Sequence, residues 1–517
     1  MSAIRVGLLS LLFMGAGHIH AQLDTVRMHY AALVDTVDLR RHLDTLASDR
    51  YEGRETGLLG QKLAARYIRE RFQEFGIPPV PEAAARGLIG GGYEQPFPLE
   101  VRTPGGISLL VDGKPMGFMQ EFFHFQERDL GSFSTDSVVL ASTTNVGTIG
   151  RNKVVLMLQD VRPGPVSRDK PPADLFQELT RKTRAAEAAG TRLLLFCSPQ
   201  APAIMRQYTH YITSPRMRLA DTADQRSPPP SLQVIVIDQP TGERILRRGH
   251  LSWKRAMRQV VHGPRIISCP FVFTHQPMRQ RLQGENVLGY LEGGDKKDEL
   301  VVITAHYDHI GKDGGEVYNG ADDDGSGTVA VLEMAQAFSR AKAEGHGPRR
   351  SILFMAVSGE EKGLLGSEWY SEHPVFALDR TVANLNIDMI GRFDSAHVAS
   401  PPYVYIIGSD RLSTDLHRIN EEANAAYVHL ALDMTFNAED DPNRFYERSD
   451  HYNFARKGVP VVFYFSGVHE DYHQPGDEVA KIRFDLLEQR ARLVFHTAWE
   501  LTSRPERPLV DKPVRLD

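Results

Sequence analysis

The chain reads as an α/β protein: a mainly parallel mixed sheet flanked by helices, with a smaller β-rich insert domain. Three observations predict this. From Asn286 onwards, short apolar strand-like runs alternate with helical patterns, the order that a parallel sheet covered on both faces requires. Several of these runs end in, or lead shortly to, an Asp, Glu or His, as strands do when their carboxyl ends meet at one crevice. Between about Pro104 and Cys269 the texture changes to short β-like runs with proline-rich breaks, including Pro228-Pro229-Pro230.

The N-terminus reads as an address. Arg5 precedes an apolar run over residues 6–14, too short to span a membrane, and Ala21 offers a small residue at a plausible cut, with Ile19 making that site imperfect. Residues 1–21 are therefore expected to be a signal peptide. No cysteine near the cut offers a lipid anchor and no other segment is apolar enough to span a bilayer, so the expectation is a soluble exported protein, periplasmic or secreted. Residues 22–103 form the N-terminal part of the main domain. Residues 39–76 are helical, with Ala64, Tyr67, Ile68, Phe72 and Phe75 at helical spacing and Gly76 as a stop. Residues 104–272 form the insert, in which a strand at 153–158, a helix at 180–189, Gly190 and a strand ending at Phe196 follow one another. Residues 273–503 form the remainder of the main domain, closed by a helix at 486–501, and residues 504–517 form a tail.

A chain of 517 residues exceeds one ordinary domain, and 41% hydrophobic with 24% charged residues is the composition of a soluble globular protein. The formal net charge of −6 and the lack of a dense Lys/Arg block argue against nucleic acid as a partner. Gly90-Gly91-Gly92 is a turn, since neither a Lys-Ser/Thr pair nor a strand-to-helix frame accompanies it. Cys197 and Cys269 suit either a bridge, which export permits, or two buried thiols, and neither has zinc-ligand spacing.

The chemistry lies at the strand ends. The apolar run 352–357 leads to Glu360-Glu361, and the run 300–305 ends in His306-Tyr307-Asp308-His309. Asn319 to Gly327 contains Asp322-Asp323-Asp324, the run 382–387 ends in Asp388, and the run 459–465 leads to Asp471-Tyr472-His473. Taken singly, each fragment has an ordinary reading: a satisfied core histidine, a solvated turn with Ser326 as a helix cap, or a buried strand-end carboxylate. Ser449-Asp450-His451 looks like a serine-hydrolase set, but no Gly-x-Ser-x-Gly elbow precedes it. Together the fragments predict one site rich in imidazole and carboxylate donors, which suits zinc. Two histidines and three carboxylates serve two ions only if one carboxylate bridges them. Two dications carry about four positive charges; three carboxylates and a hydroxide cancel them.

In this order, His306-x-Asp308, Ala321 to Gly327, Glu360-Glu361, Asp388 and Asp471-Tyr472-His473 resemble the M28 family of zinc aminopeptidases over residues 298–503. The stretch 46–54 resembles the opening segment of such enzymes, and the insert looks like a protease-associated (PA) domain that caps the cleft and restricts long substrates. The resemblance implies the zinc-exopeptidase, aminopeptidase-like fold and two Zn2+ ions. It makes His306 and Asp388 ligands of one zinc, Glu361 and His473 ligands of the other, and Asp323 the bridge, followed by a cis peptide at Asp323-Asp324. It makes Glu360 the general base and Asp308 the carboxylate that accepts the other ring N–H of His306. Tyr446 is the first choice for the phenol that steadies the developing oxyanion, with Tyr472 its competitor. The implied function is an exported di-zinc aminopeptidase that acts on peptides with free N-termini through a metal-bridging hydroxide. Carboxypeptidase, single-zinc glutaminyl cyclase and non-catalytic receptor-like relatives stay open as alternatives. Side-chain preference and oligomeric state are not legible.

Overall fold

The computed structural model describes residues 23–124, 132–160, 173–220 and 232–514. The expected signal peptide and the Pro228-Pro229-Pro230 break lie outside the described residues. In the main domain, the strands run in the order Ala431–Asp433, Tyr403–Ile407, Val461–Phe465, Thr381–Ile387, Lys296–His306, Arg350–Val357 and Arg265–Leu291. The four central strands of that series are parallel, and antiparallel pairing enters on either side of them, so the sheet is mixed and mainly parallel as expected.

The sequence explains why the central strands are mainly apolar on both faces. Along Lys296–His306, Val301, Ile303 and Ala305 enter one core while Leu300 and Val302 enter another on the opposite face. A strand covered on both faces has no polar side to alternate. Phe338 and Trp499, from the helices Gly327–Ala343 and Phe484–Ser503, close the first core; Tyr370 and Phe454 help close the second. Each such side chain contributes roughly 1.5–3 kcal/mol by leaving water.

The insert has its own core, built around Leu156, Leu195, Ile235 and Phe271. Its strands Val154–Leu158, Leu193–Cys197 and Gln233–Ile237 are parallel, and the helix Ala173–Ala188 with Gly190 at φ +65° makes the expected crossover. Two long strands, Glu94–Val111 and Arg265–Leu291, pair with each other and carry the sheet from one core to the other. The expected domain boundaries at 103/104 and 272/273 fall inside these strands. Met217 and Leu219 of the insert pack against Leu365 and Trp369, on the helix that follows Glu360-Glu361. Cys197 and Cys269 are both buried free thiols. No described helix is long and apolar enough to cross a membrane.

The N-terminal segment is the other clamp on the site. The helix Thr36–Leu46 starts at Asp35, whose carboxylate accepts from the backbone N–H groups of Val37 and Asp38. The short turn Asp49–Arg54 follows, and the buried Arg54 guanidinium donates to the carbonyls of Leu46, Tyr307, Asn319 and Gly320 at 2.6–2.8 Å. One side chain thus ties the N-terminal segment to the end of the central strand and to the aspartate loop.

The helix Thr36–Leu46 also buries His42 against Glu333, with His42 Nε2 3.1 Å from Glu333 Oε1 and neither side chain exposed. Burial pushes Glu333 up to about 8, helped by Asp38 and Asp35, and burial lowers His42 to about 4, helped by Arg41 and Arg71. Both groups are therefore uncharged in the fold near neutrality. Glu333 binds its proton more tightly folded than unfolded, so its contribution is intact below its unfolded value near 4.5 and is lost as pH rises through about 8. His42, held neutral in the fold, offsets this loss below about pH 6.5, so denaturant titrations should show stability falling between about pH 6.5 and 8, and Glu333→Gln should remove a loss on the order of 3 kcal/mol between pH 5 and 8.5. An unchanged slope would place the pH dependence elsewhere.

Candidate metal centre

The site forms where the central strands end. His306 pairs with Val357 across the sheet, Thr304 with Asn386, and Ile387 with Tyr464, so these four strands finish along one edge. His306 is the last residue of its strand and Asp388 follows the last of another. Glu360 and Glu361 come three and four residues after Val357. His473 stands in the loop after Phe465, in the left-handed region at φ +56°. All five residues expected to hold metal converge here.

Asp323 joins them. Its Oδ1 lies 3.2 Å from His306 Nε2, and its Oδ2 lies 3.1 Å from His473 Nε2. His306 Nε2 is also 3.6 Å from Asp388 Oδ1, and His473 Nε2 is 3.1 Å from Glu361 Oε2. The two oxygens of one carboxylate therefore face two donor clusters. The aspartate loop is held hard to do this. Asp477 accepts from the N–H groups of Asp322 and Asp323 at 3.0–3.1 Å, and Asp324 accepts from the N–H groups of His306, Gly327 and Met389. The Asp323-Asp324 peptide is cis. Gly320 enters the loop at φ +53°, where a Cβ would meet the Asp323 carbonyl oxygen at 2.3 Å, so glycine is required there.

A directional relay fixes Asp388. Asn384 Nδ2 donates to Thr304 Oγ1, Thr304 Oγ1 to Asn386 Oδ1, Asn386 Nδ2 to Ser449 Oγ, and Ser449 Oγ to Asp388 Oδ2, all at 2.6–2.9 Å. Every donor in the relay points towards the carboxylate. Ser449 thus acts on the site as an orienting hydroxyl, not as a nucleophile.

Electrostatics separates the two adjacent glutamates. Burial holds Glu360 well above the usual carboxylate range, with Asp388, Glu361 and Asp450 pushing the same way and His306 opposing. Burial and Asp323 push Glu361 up too, but the close imidazoles of His309 and His473 outweigh them and bring it down to about 2. The first is suited to hold a proton and the second to remain an anionic donor.

The donor set fits metal ions. His306 Nε2, both ring nitrogens of His309, Asp323 Oδ2 and Glu361 Oε1 are buried without a hydrogen-bond partner. Orphaned buried polar atoms are costly, and imidazole and carboxylate donors converging without a competing cation match the zinc repertoire. His306, Asp323 and Asp388 form one compact group; His309, Asp323 and Glu361 form a second.

Two expectations are corrected. His306 Nδ1 is 3.1 Å from the backbone carbonyl of Asp308 and 3.7 Å from its carboxylate, so the carbonyl is the nearer acceptor. The Asp308 carboxylate instead accepts from Thr56 Oγ1 at 2.7 Å and from Glu360 N at 3.4 Å. Tyr446 packs under the Arg411 guanidinium in a separate cleft and does not line the cavity over Asp323, Glu360 and Asp388. Tyr472 lines the cavity above Asp323, Glu360 and Asp388, alongside Phe445, Phe463 and Phe465. Its hydroxyl is 3.4 Å from Arg448 Nη2, and its ring stacks on that of His473. This reverses the order of the two tyrosines. His309 and Thr56 were missed: His309 stands in the same strand-end run as His306, three residues on, but nothing in the sequence shows that its ring turns inward.

Thr56→Val removes the donor to Asp308 while keeping the shape of the side chain. Competition titration against a chelator should show metal affinity falling roughly 10- to 100-fold, with stability lower by no more than about 1.5 kcal/mol. Unchanged affinity would disconnect the N-terminal segment from the metal centre.

Residues 286–498 match the model of Peptidase family M28. The chain is 28% identical over 232 residues to Aminopeptidase YwaD of Bacillus subtilis (strain 168), covering 43% of this chain and 46% of that protein. It is 31% identical over 213 residues to a probable leucine aminopeptidase of Arthroderma otae (strain ATCC MYA-4605 / CBS 113480), covering 40% of this chain and 55% of that one. The chain thus spans about half the length of the curated relatives it matches. Its fold resembles the solved structure of an aminopeptidase from Aneurinibacillus sp. strain AM-1, with a TM-score of 0.54 and 18% identity over 95% of this chain and 100% of that one. Every expected metal ligand lies within the segment, residues 286–498, that matches the model of Peptidase family M28.

Proposed function

We propose that this protein is an exported di-zinc aminopeptidase that removes the first residue from peptides. The observation that carries the reading is Asp323, with one oxygen turned to His306 and the other to His473. Zinc is also the metal in the name of a relative, a probable zinc metalloprotease of Pyrenophora teres f. teres (strain 0-1), 27% identical over 261 residues, 43% of this chain and 52% of that one. When bound, two zinc ions supply Lewis acidity towards the scissile carbonyl and lower the pKa of a nearby water.

The remaining work falls to side chains. Glu360, buried and held high in pKa, takes a proton from the attacking water and returns it to the leaving amine. Tyr472 donates to the oxygen on which negative charge develops, an interaction strongest in the transition state. The acidic floor of Asp323, Glu360 and Asp388 attracts an α-ammonium group, and Phe445, Phe463 and Phe465 offer the first side chain an apolar wall. A carboxypeptidase needs guanidinium groups converging on the cavity. Among the described lining residues, Arg448 is the one guanidinium, and its side chain is exposed. The apolar run after Arg5 supports export, and the insert, a PA-like lid in this reading, packs beside the helix after Glu361 and limits substrate length.

The test is mass spectrometry of a mixed peptide pool incubated with zinc-loaded protein, with N-acetylated and chelated controls. Loss of residues from free N-termini alone, abolished by chelator, is expected, with preference for apolar first residues. Shortening from the C-terminus would make the protein a carboxypeptidase, and no cleavage with zinc bound would favour the cyclase or receptor readings. Glu360→Gln should lose roughly 10²–10⁴-fold in turnover while binding zinc as before.

A further inference from the structure

His309 is the one buried imidazole in the centre that the ligand set from the resemblance leaves without a role. Its side chain has no exposed surface, and neither ring nitrogen has a hydrogen-bond partner. Nδ1 lies 2.8 Å from Glu361 Oε1, in a contact not aligned as a hydrogen bond, and 3.8 Å from Asp323 Oδ2. Donors that share one zinc, each about 2.0–2.2 Å from it, stand roughly 3–3.5 Å apart. The His473 ring approaches the same two carboxylates with its centroid 5.9 Å from that of His309 and the rings nearly perpendicular, so the two imidazoles converge without blocking one another.

The backbone is fitted to the ring. A Cβ at Gly320 would come within 2.5 Å of the His309 imidazole, and His309 N donates to the Arg54 carbonyl at 3.4 Å. The two clusters also differ in access. Asp388 and the shared Asp323 line the cavity, whereas His306, His309, Glu361 and His473 do not, and the His473 side chain is reached by solvent from outside it.

We propose that His309 is a fourth protein ligand of the position made by Asp323, Glu361 and His473. That position is closed by four protein donors. The position made by His306, Asp323 and Asp388 keeps an open coordination place towards the cavity, the arrangement that distinguishes a catalytic zinc from a structural one. The inference rests on the di-metal reading and assigns the two ions different tasks: one held by four protein donors, the other by three and more readily lost.

Two measurements test it. In protein labelled with 15N-histidine and loaded with cadmium-113, metal–nitrogen coupling counts the bound imidazoles directly. Three are expected, from His306, His309 and His473, and two would overturn the proposal without touching the di-metal reading. In stepwise chelation of the zinc protein, two equivalents should leave in phases at least about tenfold apart. His309→Ala and His309→Asn should abolish the slow phase and weaken that equivalent by roughly 100-fold or more, beyond the 10- to 100-fold typical of outer-sphere partners. Metal-free melting temperatures matching the unmutated chain show that the variants fold. Unchanged release by folded variants would overturn the proposal, and a single bound equivalent in the unmutated chain would overturn the di-metal reading and this inference together.

Discussion

Carboxylates buried side by side repel one another and lose their hydration, and a fold that gathers them must hold them by other means. Here Asp308, Asp322, Asp323, Asp324, Asp388 and Asp450 are all buried at one end of a sheet, with Glu360 and Glu361 beside them. That concentration of negative charge organises the rest of the molecule. Asp308, Asp322 and Asp324 are met by backbone N–H groups or by a hydroxyl. Asp324 gathers three segments through their amides, Asp477 caps the aspartate loop from outside, and Asp308 is gripped by Thr56 and Glu360 N. Among the atoms left unsatisfied, those of His306, His309, Asp323 and Glu361 are aimed at two neighbouring points, the signature of a place built for cations.

The supports for those atoms come from distant parts of the chain. The relay from Asn384 to Asp388 runs through the sheet interior, so the orientation of the Asp388 carboxylate depends on side chains of two adjacent strands and on Ser449 from a third segment. Arg54 couples the N-terminal segment to the aspartate loop through backbone carbonyls, which lets a charged group sit in the interior with its donors paired. The insert enters through continuous strands, not through flexible connections, and its contact with Leu365 and Trp369 lies directly behind the paired glutamates. A site so fixed at its back needs little rearrangement to work, which is the condition for electrostatic preorganisation.

Much of this was legible in the sequence because the central strands are covered on both faces. Runs such as Leu300 to Ile303 then stand out as unbroken apolar stretches, and the Asp, Glu or His at or soon after the end of each run marks the crevice. The long strands Glu94–Val111 and Arg265–Leu291 were not legible. Pro96, Pro98 and Pro104 interrupt the first, and a register shift between Thr103 and Gly106 lets it cross from one core to the other, so the sequence looked like a boundary where the backbone is continuous. The roles of Tyr446 and Tyr472 depend on which way two loops turn their rings, and no local pattern encodes that. His309 was invisible as a donor for a similar reason: its inward position depends on Gly320 in the next loop and on Arg54, which is far from it in the chain. The acceptor for His306 was misjudged by one group, since the carbonyl and carboxylate of Asp308 compete within a few tenths of an ångström.

The central claim is that Asp323 is shared between two metal positions. Diffraction from crystals of the zinc-loaded protein, measured on both sides of the zinc absorption edge, tests it most directly. The account predicts two anomalous peaks roughly 3.5–4 Å apart, one beside His306 and Asp388, the other beside Glu361 and His473, with Asp323 touching both. A single peak, or two peaks without a common carboxylate, would contradict it.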